Sequence, residues 1–443
     1  MRFPLLFSLG LATTSTAHTV LTTLFVNDVN QGDGTCIRMS NDPERTTFPI
    51  GGINSPDMAC GANGNKPVKF TCPTPAGAKL TFAFRAWADD SSRGAIDKSH
   101  VGSIAVYLKQ VSDMSSTSAS GSGWFKIWDS GYDTSTKKWS AEKLIDQHGL
   151  LSINLPSGLP KGGYFLARTE VLALQNVTDP GIVSPQFFVG CAQLFISSSS
   201  SSSLNVPSGK SVSIPGHVAS SHPGLNYNIY ENDPNKKPYP VIGPAAFFPT
   251  SSSSSAVSSA QQQSGAIPAT CLAKNANWCA SEVPDYSTEN ECWAASDNCW
   301  RQLDTCYNSA PPSGSKGCRT WQDLKCEKVQ AACRDKNWKG PQNKGKRIGD
   351  GEKSWSEPIP GGSLPGAENR SSSSSEGEKP APVVKDEPAT TLITSTSAVP
   401  AVSTAAATTT KVAAAPVVST SAAATATKGS CKGRRQQRRR LAE

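Results

Sequence analysis

The sequence predicts an all-β fold for residues 18–250, in the form of an antiparallel β-sandwich with long loops. Short alternating apolar runs recur there, clusters of Gly, Pro, Asn and Ser separate them, and no long helical period interrupts them. The runs are KLTFAFRAW, VGSIAVYLKQV, GLLSINL, GGYFLARTEVLAL and QFFVGCAQLFI. This region is larger than a plain sandwich, so long loops must decorate it, and loops on a rigid scaffold commonly carry function.

The first seventeen residues have the pattern of a secretory signal peptide. Arg2 is a minimal positive region, an apolar run follows it, and Ala17 ends a small-residue cleavage site. The apolar run is too short to span a bilayer, so we expect a secreted, extracellular protein without membrane association. Cutting after Ala17 would make His18 the first residue of the mature chain.

Thirteen cysteines behind a signal peptide indicate disulfide bonds. Four lie in the sandwich region, eight lie between Cys271 and Cys333, and Cys431 is left over. A Ser/Gln-rich linker, residues 251–270, separates the two even sets. The second set predicts a small four-disulfide module at residues 271–340, hereafter the cysteine-rich module, whose pairing stays open. Its spacings do not resemble the paired CxxC of zinc sites.

Residues 341–443 consist mainly of Ser, Thr, Ala, Pro and charged residues, which predicts a disordered tail. The net charge is +8, but residues 18–250 carry 18 Lys plus Arg against 17 Asp plus Glu. A near-neutral folded region in a secreted chain argues against nucleic acid and favours an uncharged partner. Asn176 and Asn369 begin glycosylation sequons.

The histidines indicate a metal site. A processed His18 would offer two nitrogens, its imidazole and an α-amino group that titrates near about 7.7–8.0 and can lose its proton to a metal. His100 precedes a strong strand and is the candidate for a third nitrogen. Nitrogen-rich tetragonal coordination favours copper over zinc or calcium. We expect His148, His217 and His222 to be ordinary turn or loop residues.

Six motifs then occur in order along the first region: AHT at the mature start, SPDMACG, AIDKSHVGSIAVYL, GWFKIWDSGYD, KLIDQHGLLSINLPSGLP and PQFFVGCAQLF. They resemble the fungal lytic polysaccharide monooxygenases of auxiliary activity family 9, once classed as glycoside hydrolase family 61. The resemblance implies an immunoglobulin- or fibronectin-like sandwich whose flat face carries one copper ion. It also implies oxidative cleavage of β-1,4-glucosidic bonds in cellulose, with O2 or H2O2 and an external electron donor. Whether carbon 1 or carbon 4 is oxidised stays open.

The resemblance assigns roles to particular residues. His18 and His100 would bind the copper, and Gln186 would hydrogen-bond on the oxygen-binding side. Tyr239 would stack on a glucose ring at the flat face. A disulfide between Cys60 and Cys191 is implied, which leaves Cys36 and Cys72 for each other.

Two positions depart from the family pattern. Phe188 stands where the family usually has an axial tyrosine, and a phenyl ring is not a ligand. Gln175 replaces a histidine that is thought to hydrogen-bond oxygen species and pass protons; an amide still bonds but does not titrate near neutral pH. The alternative function is therefore a copper- and glucan-binding relative without turnover.

Other interpretations remain. Hydrolysis would need two carboxylates at a suitable spacing, and Asp89, Asp90 and Asp97 are better explained as a solvated loop. Arg168 and Glu170 form either a structural charge pair or a support for Gln175. We expect a monomer, and the sequence leaves the role of the cysteine-rich module open.

Overall fold

The computed structural model describes residues 18–178, 181–251 and 256–348. The predicted signal peptide, most of the predicted tail, Asn369 and Cys431 lie outside the described residues. The strands in the described ranges are β1 (Val20–Val26), β2 (Val29–Asn30), β3 (Cys72–Thr74), β4 (Lys79–Arg85), β5 (Ile104–Val111), β6 (Gly121–Ser130), β7 (Tyr132–Asp133), β8 (Lys138–Trp139), β9 (Leu150–Asn154), β10 (Tyr164–Ala173), β11 (Val177–Thr178), β12 (Ile182–Val183), β13 (Gln186–Ile196), β14 (Ser198–Ser199), β15 (Ser211–Ile214), β16 (Ser258–Ser259), β17 (Ala273–Asn275) and β18 (Trp278–Ala280).

The helices are short in the sandwich region and longer in the cysteine-rich module. The α-helices are α1 (Pro43–Thr46), α2 (Ser140–Asp146), α3 (Glu289–Ser309), α4 (Lys316–Trp321) and α5 (Glu327–Arg334), with 3-10 turns at Pro56–Met58 and Ser91–Arg93 and a π-helical turn at Gln322–Cys326. None of the helices in the described ranges combines the length and apolar character that a bilayer crossing requires.

Two sheets form the predicted β-sandwich. One has four antiparallel strands in the order β2-β1-β4-β9, and the other has six in the order β15-β6-β5-β10-β13-β3. All neighbouring pairs are antiparallel except β13 and β3, which run parallel. The main core lies between the sheets, where Leu24 and Phe82 of one sheet share an apolar cluster with Val106 and Phe125 of the other. The all-β fold class is confirmed.

The six-stranded sheet is buried on both faces. Along β5, Val106 and Leu108 belong to the main core, whereas Ala105 and Tyr107 belong to a second apolar cluster. Loop residues such as Tyr239 complete this second cluster, hereafter the outer core. The long loops therefore cover the outer face of the sheet, which explains why its strands are nearly continuous in hydrophobicity.

The cysteine-rich module is mainly helical and uses all eight of its cysteines in disulfides. The pairs are Cys271–Cys279, Cys292–Cys333, Cys299–Cys326 and Cys306–Cys318. Helix α3 begins with a capping box in which Thr288 and Glu291 satisfy each other's backbone N–H groups. The packing continues to Ile348, which is 8% exposed. The described residues all fall within one compact unit.

Candidate metal site

Three of the predicted site residues lie at one edge of the six-stranded sheet. Strand β10 ends at Ala173, directly opposite Gln186 at the start of β13. Gln175 follows two residues later, and His100 lies in the loop that enters β5, the other neighbour of β10. Because a strand ends where its antiparallel neighbours begin, the end of β10 lies beside the starts of β5 and β13, and these side chains converge there. We call His18, His100, Gln175 and Gln186 the site edge.

The loop before β5 fixes the ring of His100. The Asp97 carboxylate accepts from the Ser99 backbone N–H at 2.9 Å and from the Ser99 hydroxyl at 2.7 Å. Ser99 Oγ lies 3.1 Å from His100 Nδ1. Since the hydroxyl proton is already directed at Asp97, Ser99 Oγ accepts the Nδ1 proton. The lone pair of the neutral ring is therefore on Nε2.

Gln175 connects His100 to Gln186. Its amide nitrogen lies 3.1 Å from His100 Nε2 and donates to Gln186 Oε1 at 2.8 Å. Its own Oε1 is buried and finds no hydrogen-bond partner among the described residues. The buried ring of Phe188 lies beside this region. It is 2% exposed, and its centroid is 5.7 Å from that of His100. A buried acceptor without a donor is costly, so this position favours a bound polar group or water.

His18 reaches the same edge through a short connecting segment. Its ring lies on Phe48, with the centroids 4.0 Å apart. The Thr19 N–H donates to the Thr47 carbonyl at 3.2 Å, and the Ile50 N–H donates to the Phe187 carbonyl at 2.8 Å. The segment 47–50 therefore bridges the start of β1 to the start of β13. Partial burial lowers the pKa of His18, which favours the neutral form of its imidazole.

These residues fit a copper ion of the kind that the sequence suggests. A metal ligand must be a neutral imidazole, and burial favours that form in His18, while Ser99 lies beside Nδ1 of His100 and leaves Nε2 for a metal. The unpartnered Gln175 oxygen shows that the edge has unused polar capacity. The donor set is nitrogen, which copper prefers. The role of His18 and His100 as ligands stays a prediction.

Two disulfides brace the loops around this edge. Cys60 is bonded to Cys191, and Cys36 is bonded to Cys72, the pairings that the family resemblance implies. The first ties the loop after the 3-10 turn at Pro56–Met58 to the middle of β13. Such cross-links restrict the unfolded chain and hold distant segments together.

The expectation that Tyr239 stacks on a sugar is wrong. Tyr239 is 9% exposed, and its ring packs edge-on against Trp139 and Tyr227 at 5.1 Å and 5.3 Å. Its hydroxyl lies 3.3 Å from the Ser103 hydroxyl. Burial raises the pKa of Tyr239, as expected for a phenol in the outer core. A ring enclosed in this way cannot present a face to a polysaccharide.

Sequence reasoning missed three residues at the site edge. Ser99 orients His100, Phe48 supports His18, and the Tyr230 hydroxyl donates to the Gln175 carbonyl at 3.0 Å. The spacing of Asp97 and Ser99 is a signal that could have been used, because a carboxylate bonds to a backbone N–H two residues ahead in an Asx turn. Nothing in the sequence alone singled out the other two.

His217 differs from the predicted loop residue. Its Nε2 lies 2.9 Å from Glu170 Oε2, and Arg168 Nη2 donates to the same oxygen at 2.6 Å. All three side chains are buried. Arg168 and Glu170 thus form a structural charge pair that includes His217. We call Tyr107, Arg168, Glu170 and His217 the buried polar cluster.

The other polar candidates hold local structure. His148 is exposed at a turn with φ of 54°, and His222 Nδ1 accepts from the Gly224 N–H at 3.0 Å. Asp90 caps the 3-10 turn at Ser91–Arg93, and Asp97 supports Ser99. Each of these two carboxylates is engaged by a serine rather than aimed at a cleft.

Comparison with known proteins agrees with the motifs. The family model "Auxiliary Activity family 9 (formerly GH61)" matches residues 18–239. An AA9 family lytic polysaccharide monooxygenase H of Botryotinia fuckeliana is 47% identical over 335 residues, which is 73% of this chain and 75% of that protein. An AA9 family lytic polysaccharide monooxygenase C of Aspergillus tamarii is 46% identical over 344 residues, 76% of this chain and 90% of that protein.

A solved structure titled CvAA9A covers 52% of this chain and 98% of its own, at 29% identity and a TM-score of 0.45. The family match spans half of the chain, and the alignments with the two relatives extend beyond it. The resemblance seen in the motifs is confirmed: the chain belongs to auxiliary activity family 9, the lytic polysaccharide monooxygenases.

Proposed function

We propose that this copper-dependent lytic polysaccharide monooxygenase is secreted, acts as a monomer, and cleaves β-1,4-glucosidic bonds of cellulose. It would use an external electron donor and O2 or H2O2. The observation that carries the proposal is the site edge itself, where Gln175 joins His100 to Gln186 and exposed aromatic rings lie beside His18 and Gln175. The family membership supports the coarser activity, and the aromatic rings support the choice of substrate.

The large exposed aromatic side chains of described residues 18–250 are gathered at this edge. They are Phe48, Trp87 and Tyr230, at 52%, 38% and 70% exposed. Phe48 contacts His18, and Tyr230 bonds to the carbonyl of Gln175. Trp87 lies two residues beyond Arg85, which pairs with Val20 near the start of β1. Exposed apolar patches rimmed by polar groups mark binding surfaces.

Flat rings with a polar surround suit a neutral sugar chain. Aromatic rings offer large apolar faces to the C–H groups of a sugar, and neighbouring polar groups bind its hydroxyls. Arg93 lies over Trp87, with its guanidinium carbon 3.7 Å from the ring centroid, and so fixes the ring in place. Tyr230 replaces Tyr239 as the tyrosine proposed to contact the polysaccharide. The near-neutral charge of residues 18–250 agrees with an uncharged glucan.

His18 and His100 would hold the copper, with the α-amino group of a processed His18 as the third nitrogen. The copper supplies one-electron redox chemistry toward O2 or H2O2. By accepting the Nδ1 proton, Ser99 would leave the lone pair of His100 on Nε2, where a metal would replace the Gln175 amide as its partner. Phe188 offers no oxygen ligand and excludes water beneath the ring of His100.

Gln175 and Gln186 would position polar groups but not transfer protons. An amide keeps its hydrogens across the whole physiological pH range. Where the family has a titrating histidine, this chain therefore has a fixed donor, and we propose a slower enzyme. The same observation favours the second candidate function, a protein that binds copper and glucan without turnover.

Amorphous cellulose separates the two functions. The copper-loaded protein from a fungal host is incubated with and without ascorbate, and soluble oligosaccharides are analysed by mass spectrometry. Aldonic or 4-keto ends that depend on ascorbate establish the enzyme. Stoichiometric copper binding that is lost in His18→Ala, without oxidised ends in the parent protein, establishes the binding protein. Native-ended products that do not need ascorbate would show hydrolysis and contradict both.

A further inference from the structure

The hairpin formed by β17 and β18 makes most of the hydrogen bonds between the cysteine-rich module and residues 31–36 of the sandwich. Asn277 lies in its turn and bonds to four backbone groups of the sandwich, one of which is the Ile37 carbonyl, 3.5 Å from the amide nitrogen. Its amide nitrogen donates to the Gly34 carbonyl at 2.8 Å, and its oxygen accepts from the N–H groups of Cys36 at 3.1 Å and Phe70 at 3.4 Å. One side chain thus satisfies backbone groups on two segments that the Cys36–Cys72 disulfide already joins.

Gly34 makes the close approach of the hairpin possible. Its φ is +68°, and a Cβ at this position would lie 2.8 Å from Ala276 Cβ and 2.9 Å from Pro311 Cγ. Beside it, the Thr35 hydroxyl donates to the Ala276 carbonyl at 3.2 Å. Lys274 is 9% exposed and donates to the Gln31 carbonyl at 2.5 Å. The two parts therefore meet along residues 31–36.

The predicted linker also lies on the sandwich. Strand β16 pairs with β14, the Gln262 amide donates to the Thr71 carbonyl at 2.9 Å, and the Thr71 N–H donates to the Gly265 carbonyl at 2.8 Å. The Ser264 N–H donates to the Tyr164 hydroxyl at 3.0 Å. A flexible linker behaves as a random coil and does not make a series of specific backbone contacts. Residues 256–265 therefore pack on the sandwich as part of its structure.

The segment 31–36 leads from the hairpin toward the site edge. Asp33 holds Arg85 through two hydrogen bonds of 2.8 Å and 3.0 Å, and both side chains are largely buried. Arg85 Nη1 also donates to the Ala88 carbonyl at 3.2 Å. Ala88 belongs to the loop that carries Trp87 and continues to His100. A bidentate buried pair of this kind fixes position as well as charge.

We propose that the cysteine-rich module is a fixed buttress of the monooxygenase domain, docked on residues 31–36 by its hairpin. By holding Asp33 and Arg85, it holds the first turn of the loop that leads to Trp87 and His100. The module is then part of the same rigid body as the site edge, not a tethered binding unit. The proposal does not depend on the choice of polysaccharide.

Two full-length variants test this docking, with one matched control. Asn277→Ala removes the hydrogen bonds at the turn, and Gly34→Ala places a methyl group against Ala276. Gly209→Ala is the control, because Gly209 also has a positive φ of +82° but no atom within 4 Å of an added Cβ. The control carries the backbone strain alone.

Calorimetry and hydrogen exchange give the readouts. We expect one cooperative unfolding transition for the parent protein, with the midpoint about 5 °C lower in Asn277→Ala. The unfolding midpoint should fall further in Gly34→Ala than in Gly209→Ala. Amide exchange should rise in peptides covering 31–36 and 86–90, and stay unchanged in those covering 181–186.

Independent melting of the sandwich and the cysteine-rich module would overturn the proposal. So would exchange changes confined to residues 271–348, or a shift in Asn277→Ala no larger than that of the Gly209→Ala control. If Gly34→Ala does not fold, Asn277→Ala carries both measurements alone. Since neither readout involves catalysis, a lack of activity on cellulose leaves the result interpretable.

Discussion

His100 and His217 are both almost inaccessible to solvent, at 2% and 7% exposed, yet their surroundings differ in charge. His100 lies between a serine hydroxyl and a glutamine amide at the site edge. His217 lies 2.9 Å from the carboxylate of Glu170 in the buried polar cluster. Neutral partners leave His100 with a lone pair that can bind a metal, whereas a carboxylate makes His217 a hydrogen donor. The partners, rather than burial, decide what each histidine can do.

The buried polar cluster is built for charge balance. Burial alone would raise the pKa of Glu170, but the charges of Arg168 and His217 outweigh it and hold this pKa well below its ordinary value. Burial also raises the pKa of the Tyr107 phenol. Three atoms of the cluster, Tyr107 Oη, Arg168 Nη1 and His217 Nδ1, find no partner among the described residues. Buried water commonly satisfies such atoms.

The largest contrast should appear in copper binding. We expect His100→Ala to abolish stoichiometric copper binding, a loss greater than the roughly 10–100-fold that follows removal of an outer hydrogen-bond partner. His217→Ala should bind copper as the parent does and lose thermal stability instead. Titration calorimetry with copper measures both. Equal loss in the two variants would erase the distinction between the histidines.

Glu170→Gln should cost stability rather than copper affinity. We expect a loss of about 3–5 kcal/mol in the free energy of unfolding at neutral pH, because the Arg168 charge would stay buried without its counterion. The depressed pKa of Glu170 means that its stabilising effect is present above about 4.5 and is lost as the pH falls below it. Denaturation curves at neutral pH and at about pH 3.5 should therefore differ less in the variant.

The exposed Glu231 supplies the control for this experiment. Glu231→Gln should follow the pH dependence of the parent protein. If Glu170→Gln shows the same acid sensitivity as the parent, the carboxylate does not carry the acid-labile stability.

Gln175→His would restore a titrating group beside His100. We expect the initial rate of oxidised product formation to rise by about tenfold, within the range that outer partners of a metal site commonly contribute. The rate should also become pH-dependent near pH 6.5, where an imidazole changes charge. Rates over a pH series measure this, with Gln175→Leu as a variant that removes hydrogen bonding. A pH-independent rate in Gln175→His would mean that proton transfer at this position is not limiting.

The smallest effect concerns the two tyrosines. Tyr230→Ala should weaken binding to cellulose by roughly threefold to tenfold, since an aromatic contact is worth about 0.5–1.5 kcal/mol. Tyr239→Ala should leave cellulose binding unchanged and destabilise the outer core by about 3–5 kcal/mol. Pull-down isotherms and thermal melts separate the two. Weaker cellulose binding by a stably folded Tyr239→Ala variant would show that Tyr239 contacts the polysaccharide despite its burial.

The strands could be predicted from their apolar runs, because a short run bounded by turn residues is typical of a buried strand. The run QFFVGCAQLFI coincides with β13, and VGSIAVYLKQV contains β5. The pattern does not show that loops cover the outer face of the sheet, so it could not show that Tyr239 is enclosed. The helical part of the cysteine-rich module was also missed. Cysteines spaced by seven residues at 292, 299 and 306 lie two turns apart on one face of α3, a usable signal.

The residues of the site edge could be predicted where their chemical type and the family motifs identify them. His100, Gln175 and Gln186 were expected near the metal and do lie together. His217 could not be identified, because its partner Glu170 is 47 residues away in sequence and nothing local records the contact. Long-range pairing depends on topology, which spacing along the chain does not encode.

The outer edge of β13 has a consequence for how the protein behaves among its own copies. The Ile50 N–H donates to the Phe187 carbonyl at 2.8 Å, and the Arg38 N–H donates to the Cys191 carbonyl at 2.9 Å. Strand β3 pairs with β13 from Leu194 onward. Three separate segments thus occupy backbone groups that an open edge strand would offer to another chain. Strand addition between molecules, the usual start of ordered aggregation, has no template at these positions. The protein should therefore not polymerise through this sheet edge, even in a concentrated extracellular solution.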